Sequence, residues 1–100
     1  MNRNSSMVIF FMISIVILNI KLEAQIPISN IKQLQKIGND PSYPLNGNYI
    51  LTNDIDASET INWNDGKGFY PVGRDDQNGF TGIFDGDGNE ISNIFINRIG

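Results

Sequence analysis

Acidic and oxygen-bearing side chains crowd two short stretches of the sequence, DIDASETINWND (residues 54–65) and DGDGNE (residues 85–90). Oxygen ligands at alternating positions, followed by a bidentate glutamate and with a central glycine, are what a helix-flanked calcium loop needs. Counted from Asp85, the glycine position is occupied by Glu90 and the closing position by Ile96, so DGDGNE does not fit that loop. Counted from Asp54, the ligand positions carry Asp54, Asp56, Ser58, Thr60, Asn62 and Asp65. The glycine position there holds Glu59 and the closing ligand is aspartate, and no flanking helices are predicted. Asp54, Asp56 and Asp65 are thus calcium candidates only in spacing. The favoured role of Asp54 and Asp56 is to satisfy backbone donors where a strand ends. In DGDGNE, Gly86 and Gly88 permit left-handed backbone, and Asp85, Asp87 and Asn89 can bond their own main chain. That predicts a sharp corner. A calcium-binding tandem nonapeptide repeat would need further copies.

Catalysis has few candidates. The chain contains no histidine and no cysteine, which removes Ser-His and Cys-His nucleophile systems, histidine zinc sites and disulfides. Paired carboxylates could serve glycoside hydrolysis, but only analogy of fold would link them to it. Asp75-Asp76 reads as a solvated loop pair. No catalytic residue, metal or cofactor is assigned. Trp63, Phe69 and Tyr70 could stack on sugars, although packing of their own loop is the preferred reading. The net charge of −4 argues against nucleic acid or an anionic membrane surface as partner.

The elements that must position these residues follow a leader. A polar start with Arg3, an apolar run over residues 8–20 (VIFFMISIVILNI) and a small residue, Ala24, have the layout of a cleaved signal peptide, residues 1–24. The run is shorter than the roughly 20 residues that span a bilayer. A retained anchor is the alternative. Residues 25–48 are expected to form a short amphipathic helix and a loop. Asn30 supplies an N-cap, Ile31, Leu34 and Ile37 an apolar stripe, and Gly38 a C-terminal stop. Residues 49–100 show strand patterns at 49–52, 80–84 and 91–97, separated by Asn/Asp/Gly corners and a polar excursion over 57–79. Short strands without hairpin pairing predict coils of an all-β solenoid, capped by the helix. A β-sandwich is the rival, and the long excursion weighs against it. The apolar run at 91–99 suggests an unpaired edge, as at the start of a longer protein or in a fragment of one.

Several blocks in fixed order carry a resemblance. They are Tyr49, Leu51, Thr52, Asp54, Ile55 and Asp56; then Trp63, Pro71, Val72 and Gly73; then Phe80, Gly82, Phe84, Asp85, Gly86 and Gly88; then Ile91, Ile94 and Ile96. This arrangement resembles the opening unit of bacterial surface proteins with the Gly-Leu-Xaa-Gly (GLUG) repeat, although the repeat motif itself is not present. The resemblance implies a right-handed parallel β-helix, secretion, and a non-enzymatic, adhesin-like role at the cell surface. Its partners would be glycans or surface components of host or neighbouring cells. A polysaccharide-binding or polysaccharide-cleaving β-helix protein is the alternative.

Overall fold

The computed structural model describes residues 24–73 and 78–98. Apart from Ala24, the signal segment expected at residues 1–24 lies outside the described residues, as do Asp75 and Asp76. In chain order the elements are β1 (Ile26–Ile28), α1 (Ile31–Lys36), β2 (Asn48–Leu51), β3 (Ile55–Asp56), β4 (Ile83–Asp85) and β5 (Ile91–Ser92). Two 3-10 helices, Ser58–Asn62 and Asn64–Gly66, lie between β3 and β4.

Helix α1 forms where local chemistry calls for it. The Asn30 side chain accepts from Gln33 N at 2.8 Å, and Gln33 Oε1 accepts from Ser29 N at 2.7 Å. Side chains therefore satisfy donors on both sides of the helix start. Gly38, at φ +81°, lets the chain leave in a left-handed turn. Ile31, Leu34 and Ile37 fall on one face and are all buried. A helix this short has little stability of its own, and each buried aliphatic side chain contributes about 2 kcal/mol. The stripe holds α1 in place.

Among the described residues, the five strands pair with one another in parallel. One sheet has the order β1-β2-β4, with Tyr49 opposite Ile26 and Phe84, and Ile50 opposite Pro27 and Asp85. The second pairs β3 with β5, Ile55 opposite Ile91. Alternation along β2 sends Tyr49 and Leu51 inward. They meet Ile28, the α1 stripe, Ile55, Ala57 and Phe69 in one core. The Tyr49 ring is wholly buried, and its hydroxyl donates to Pro44 O at 2.6 Å. The rings of Tyr43, Phe80 and Phe84 surround it at 6.1 to 6.5 Å.

The expected all-β right-handed parallel β-helix is not what forms. The described residues make a small mixed helix–strand domain with separate parallel sheets of three and two strands, and no closed sheet or stacked solenoid. The physical reason lies in what fills the interior. A solenoid core is lined by strands from successive coils, whereas here the α1 stripe and Phe69 share it with Ile28, Tyr49, Leu51 and Ile55 of β1, β2 and β3. Strand β4 buries none of its three residues, and Ile83 is 62% exposed. The strand patterns expected at residues 80–84 and 91–97 do not line an interior as solenoid coils would, since Phe84, Ile94 and Ile96 are exposed. Strand β5 also stops early, because Asn93 turns the chain at φ +61°. Beyond that turn Ile96 pairs antiparallel with Gly68.

The excursion folds back through one buried polar group. Thr60 is completely buried; its hydroxyl donates to Ala57 O at 2.6 Å and accepts from Phe95 N at 2.9 Å. Phe69 N donates to Phe95 O and Asn97 N to Lys67 O, both at 2.8 Å. Gly68 permits this contact twice over: its φ is +82°, and a Cβ there would strike the Phe95 carbonyl oxygen. Replacing Thr60 by valine keeps the volume but strands the Phe95 N–H in the interior. Thr60→Val is therefore expected to cost about 2 kcal/mol, a fall in Tm on the order of 10 °C. Thr60→Ser should recover most of that loss in thermal melts followed by circular dichroism.

Candidate functional site

The polar corners and the aromatic loop turn out to be different kinds of place. At the corners, side chains bind main chain across segments distant in sequence. Asn53 Nδ2 donates to Ser29 O at 3.0 Å, and Asn89 Nδ2 donates to Leu51 O at 3.2 Å. Asp54 Oδ1 accepts from Glu90 N at 2.9 Å. Asp56 Oδ1 accepts from Ser58 N at 3.0 Å and from Asn93 Nδ2 at 3.2 Å. The bonds to Ser29 O, Leu51 O and Glu90 N satisfy main-chain groups at strand ends, the bond to Ser58 N serves the start of a 3-10 helix, and Asn93 ties its side chain to that of Asp56. These donors hold the exposed Asp56 carboxyl below its usual range. The Ser58 backbone N–H is the largest cause, followed by the Asn93 and Ser58 side chains.

DGDGNE makes a corner of the same type. Asp85 Oδ1 accepts from Asp87 N at 2.9 Å, and Asn89 N donates to Gly86 O at 2.9 Å. The left-handed residues are Asp87 and Gly88, not Gly86 as the sequence had suggested. Of the calcium candidates, Asp54 and Asp56 bind backbone donors, and Asp65 sits in the second 3-10 helix at φ +55°. Among the described residues, no three histidine, cysteine, aspartate or glutamate side chains converge as a metal site would require. Nor is any helix among them long and apolar enough to cross a membrane.

The aromatic loop builds a cleft. Gln35, Asn39, Trp63, Asn64 and Tyr70 line a concavity of about 300 Å³. Gln35, on α1, grips the backbone of Tyr70 at both ends: Nε2 donates to its carbonyl at 3.0 Å, and Oε1 accepts from its N–H at 2.8 Å. Trp63, at the junction of the two 3-10 helices, lies against Phe69 with centroids 6.5 Å apart. Tyr70 remains 40% exposed, with the Arg98 guanidinium 3.7 Å from its ring centroid. Asn64 holds a left-handed backbone at φ +53°, and its Nδ2 donates to Gly68 O at 2.7 Å. Asn39 Nδ2 donates to Gln35 O at 2.8 Å.

Trp63, Phe69 and Tyr70, for which packing is the expectation from sequence, have different fates. Phe69 is a core residue, while Trp63 is half-buried and Tyr70 exposed. The amide residues of the cleft were missed. Only the four-residue spacing of Gln35, on α1, and Asn39, just beyond its end, hinted that they could act together.

In an alignment of 82 residues that covers 78% of its length, the chain is 49% identical to Halomucin of Haloquadratum walsbyi. The chain spans about 1% of that protein's length. No protein-family model matches the chain, and no solved structure gives a significant match.

Two measurements test the corners. A carboxyl held low in the fold contributes stability above its unfolded pKa and loses it as pH falls through the folded value. Asp56→Asn is therefore expected to flatten the decline of Tm below about pH 4 relative to the parent protein. If Asp54, Asp56 and Asp65 serve backbone and not calcium, calorimetry with added calcium and with chelator will give the same Tm. A rise with calcium would assign them to the ion.

Proposed function

We propose that this chain is a non-enzymatic module of an exported, cell-surface protein, acting as an adhesin-like scaffold. The observation that carries this reading is the similarity to Halomucin over most of the chain, since that name marks a mucin-like protein. The chain corresponds to a very small part of so long a polypeptide, which suits a module better than a self-contained enzyme. The ordered blocks from Tyr49 to Ile96 resemble GLUG-repeat surface proteins and support the same role. The leader-like pattern in residues 1–24 supports export.

The chemistry of the side chains agrees with a scaffold. Asp54, Asp56 and Asp85, the acidic residues a hydrolase would draw on first, bind main-chain donors. Glycoside hydrolysis needs two carboxyl groups facing one another across a bond, one of them kept protonated. Asp56, shifted toward the ionised form, does not suit the protonated member of such a pair.

Two experiments bear on this. Protease treatment of intact cells expressing the full chain is expected to remove it; protection until lysis would refute surface exposure. Incubation of the full chain with a panel of polysaccharides, followed by chromatography, is expected to release no products. Appearance of shorter sugars would replace the scaffold with a cleaving enzyme.

A further inference from the structure

The two outer edges of the three-stranded sheet differ in what they offer. At the β1 edge, Ile28 O accepts from Thr52 N at 3.1 Å, so the main chain of Ile28 faces β2 and that of Pro27 faces outward. Proline has no N–H to give an added strand, and on an edge it blocks further pairing. At the β4 edge, Ile83 N donates to Gly47 O at 3.1 Å. The main chain of Ile83 therefore faces β2, and alternation along the strand turns the N–H and C=O of Phe84 outward. Among the described residues neither group has a partner. Strand β4 also lacks the lysine or proline that commonly guards an edge. Ile83 is 62% exposed and Phe84 37%.

Beside this open edge lies an apolar groove. Leu34 and Ile37 of α1, with Val72, Phe80 and Phe84, line a concavity of about 180 Å³. That is below the range of drug-sized ligand pockets and suits one large apolar side chain. Phe84 stands opposite Tyr49 in the ladder, so it lies on the core-facing side of the sheet, with Ile83 and Asp85 on the other. A residue added opposite Phe84 would share that core-facing side with the groove. Its two neighbours would lie beside Asp85 and Ile83. The corner that follows adds Asp87 and Glu90, both exposed.

We infer that the β4 edge and this groove form a docking site for an extended peptide segment of a partner protein. From its N-terminal end, the core of that segment reads basic, large apolar, aliphatic. The apolar residue seats among Leu34, Ile37, Phe80 and Phe84, the basic one pairs with Asp85, and the aliphatic one covers Ile83. This order belongs to antiparallel addition, the more stable sense, in which Phe84 exchanges both main-chain bonds with one residue of the peptide. Strand addition of this kind takes affinity from main-chain bonds and specificity from pockets for alternate side chains. A second copy of this chain is the rival occupant. It would bring its own Asp85, Asp87 and Glu90 to the joint, in a protein whose net charge is −4. A basic peptide is drawn to the same corner.

This site does not draw on the surface-module reading, and either can fail without the other. The full chain would be titrated into a fluorescein-labelled peptide with an Arg-Phe-Val core between Ser-Gly flanks, followed by fluorescence anisotropy. Saturable binding is expected, with a Kd below about 1 mM. Methylating the backbone nitrogen of the central phenylalanine removes the bond to Phe84 O and should weaken binding about tenfold. Replacing that phenylalanine by glycine empties the groove and should cost at least about tenfold. A Glu-Phe-Val core should bind about threefold more weakly than Arg-Phe-Val. Asp85→Asn keeps an oxygen for the Asp87 N–H and should shrink that difference. No binding at 1 mM, equal affinity for the methylated or glycine peptide, or an unchanged preference in Asp85→Asn would each overturn the inference. Sedimentation of the chain alone and of Ile83→Lys is expected to give the same distribution. Self-association lost in Ile83→Lys would assign the edge to a second copy and overturn the peptide site.

Discussion

Parallel strands cannot be joined by a tight turn, and in this protein that constraint governs everything else. Each strand is two to four residues long, so nearly every one of its residues is close to an end. The ladders satisfy few backbone groups, and the chain must leave the sheet with others still wanting partners. Asparagine and aspartate side chains supply them. Asn53, Asp54, Asp56, Asn89 and Asn93 link the exit of one strand to segments far along the chain. The acidic, asparagine-rich composition of the corners is therefore part of the hydrogen-bond ladder.

The long connection between β3 and β4 obeys the same rule by a different route. It folds into two short 3-10 helices that return Phe69 to the core and press Gly68 against the segment after β5. Thr60 makes this possible, since a buried hydroxyl can both donate and accept and so bridges two stretches of backbone. The aromatic residues that follow are divided by this packing. Phe69 is consumed by the core, whereas Trp63 and Tyr70 are left at the rim beside Gln35 of α1 and the amides of Asn39 and Asn64. The cleft is thus a consequence of how the excursion closes.

Several features were legible from local patterns. The α1 stripe of Ile31, Leu34 and Ile37, with Asn30 and Gly38 at its ends, carries its own periodicity and stop signals. The turn at Asp85 to Asn89 follows from side chains that bond backbone two residues away. The architecture was not legible in the same way. Alternation at Phe80, Gly82 and Phe84 marks residues able to share a face, but periodicity carries no information on whether another layer covers that face. Phe80 and Phe84 do lie beside Tyr49, yet Phe84 stays exposed. The run from Ile91 looked like one strand, and a left-handed Asn93 divides it. Asparagine tolerates that conformation without announcing it.

By itself, then, the sequence determined the helix and its caps, the corners, and the absence of histidine and cysteine chemistry. Those properties depend on residue identity or on neighbours within about four positions. Only the tertiary structure decided which strands pair, which apolar faces are covered, and that Gln35 on α1 meets Tyr70 in the cleft. Contacts of that kind join residues some 35 positions apart. They are selected by competition among all the surfaces the chain can bury at once, and no local pattern records the outcome of that competition.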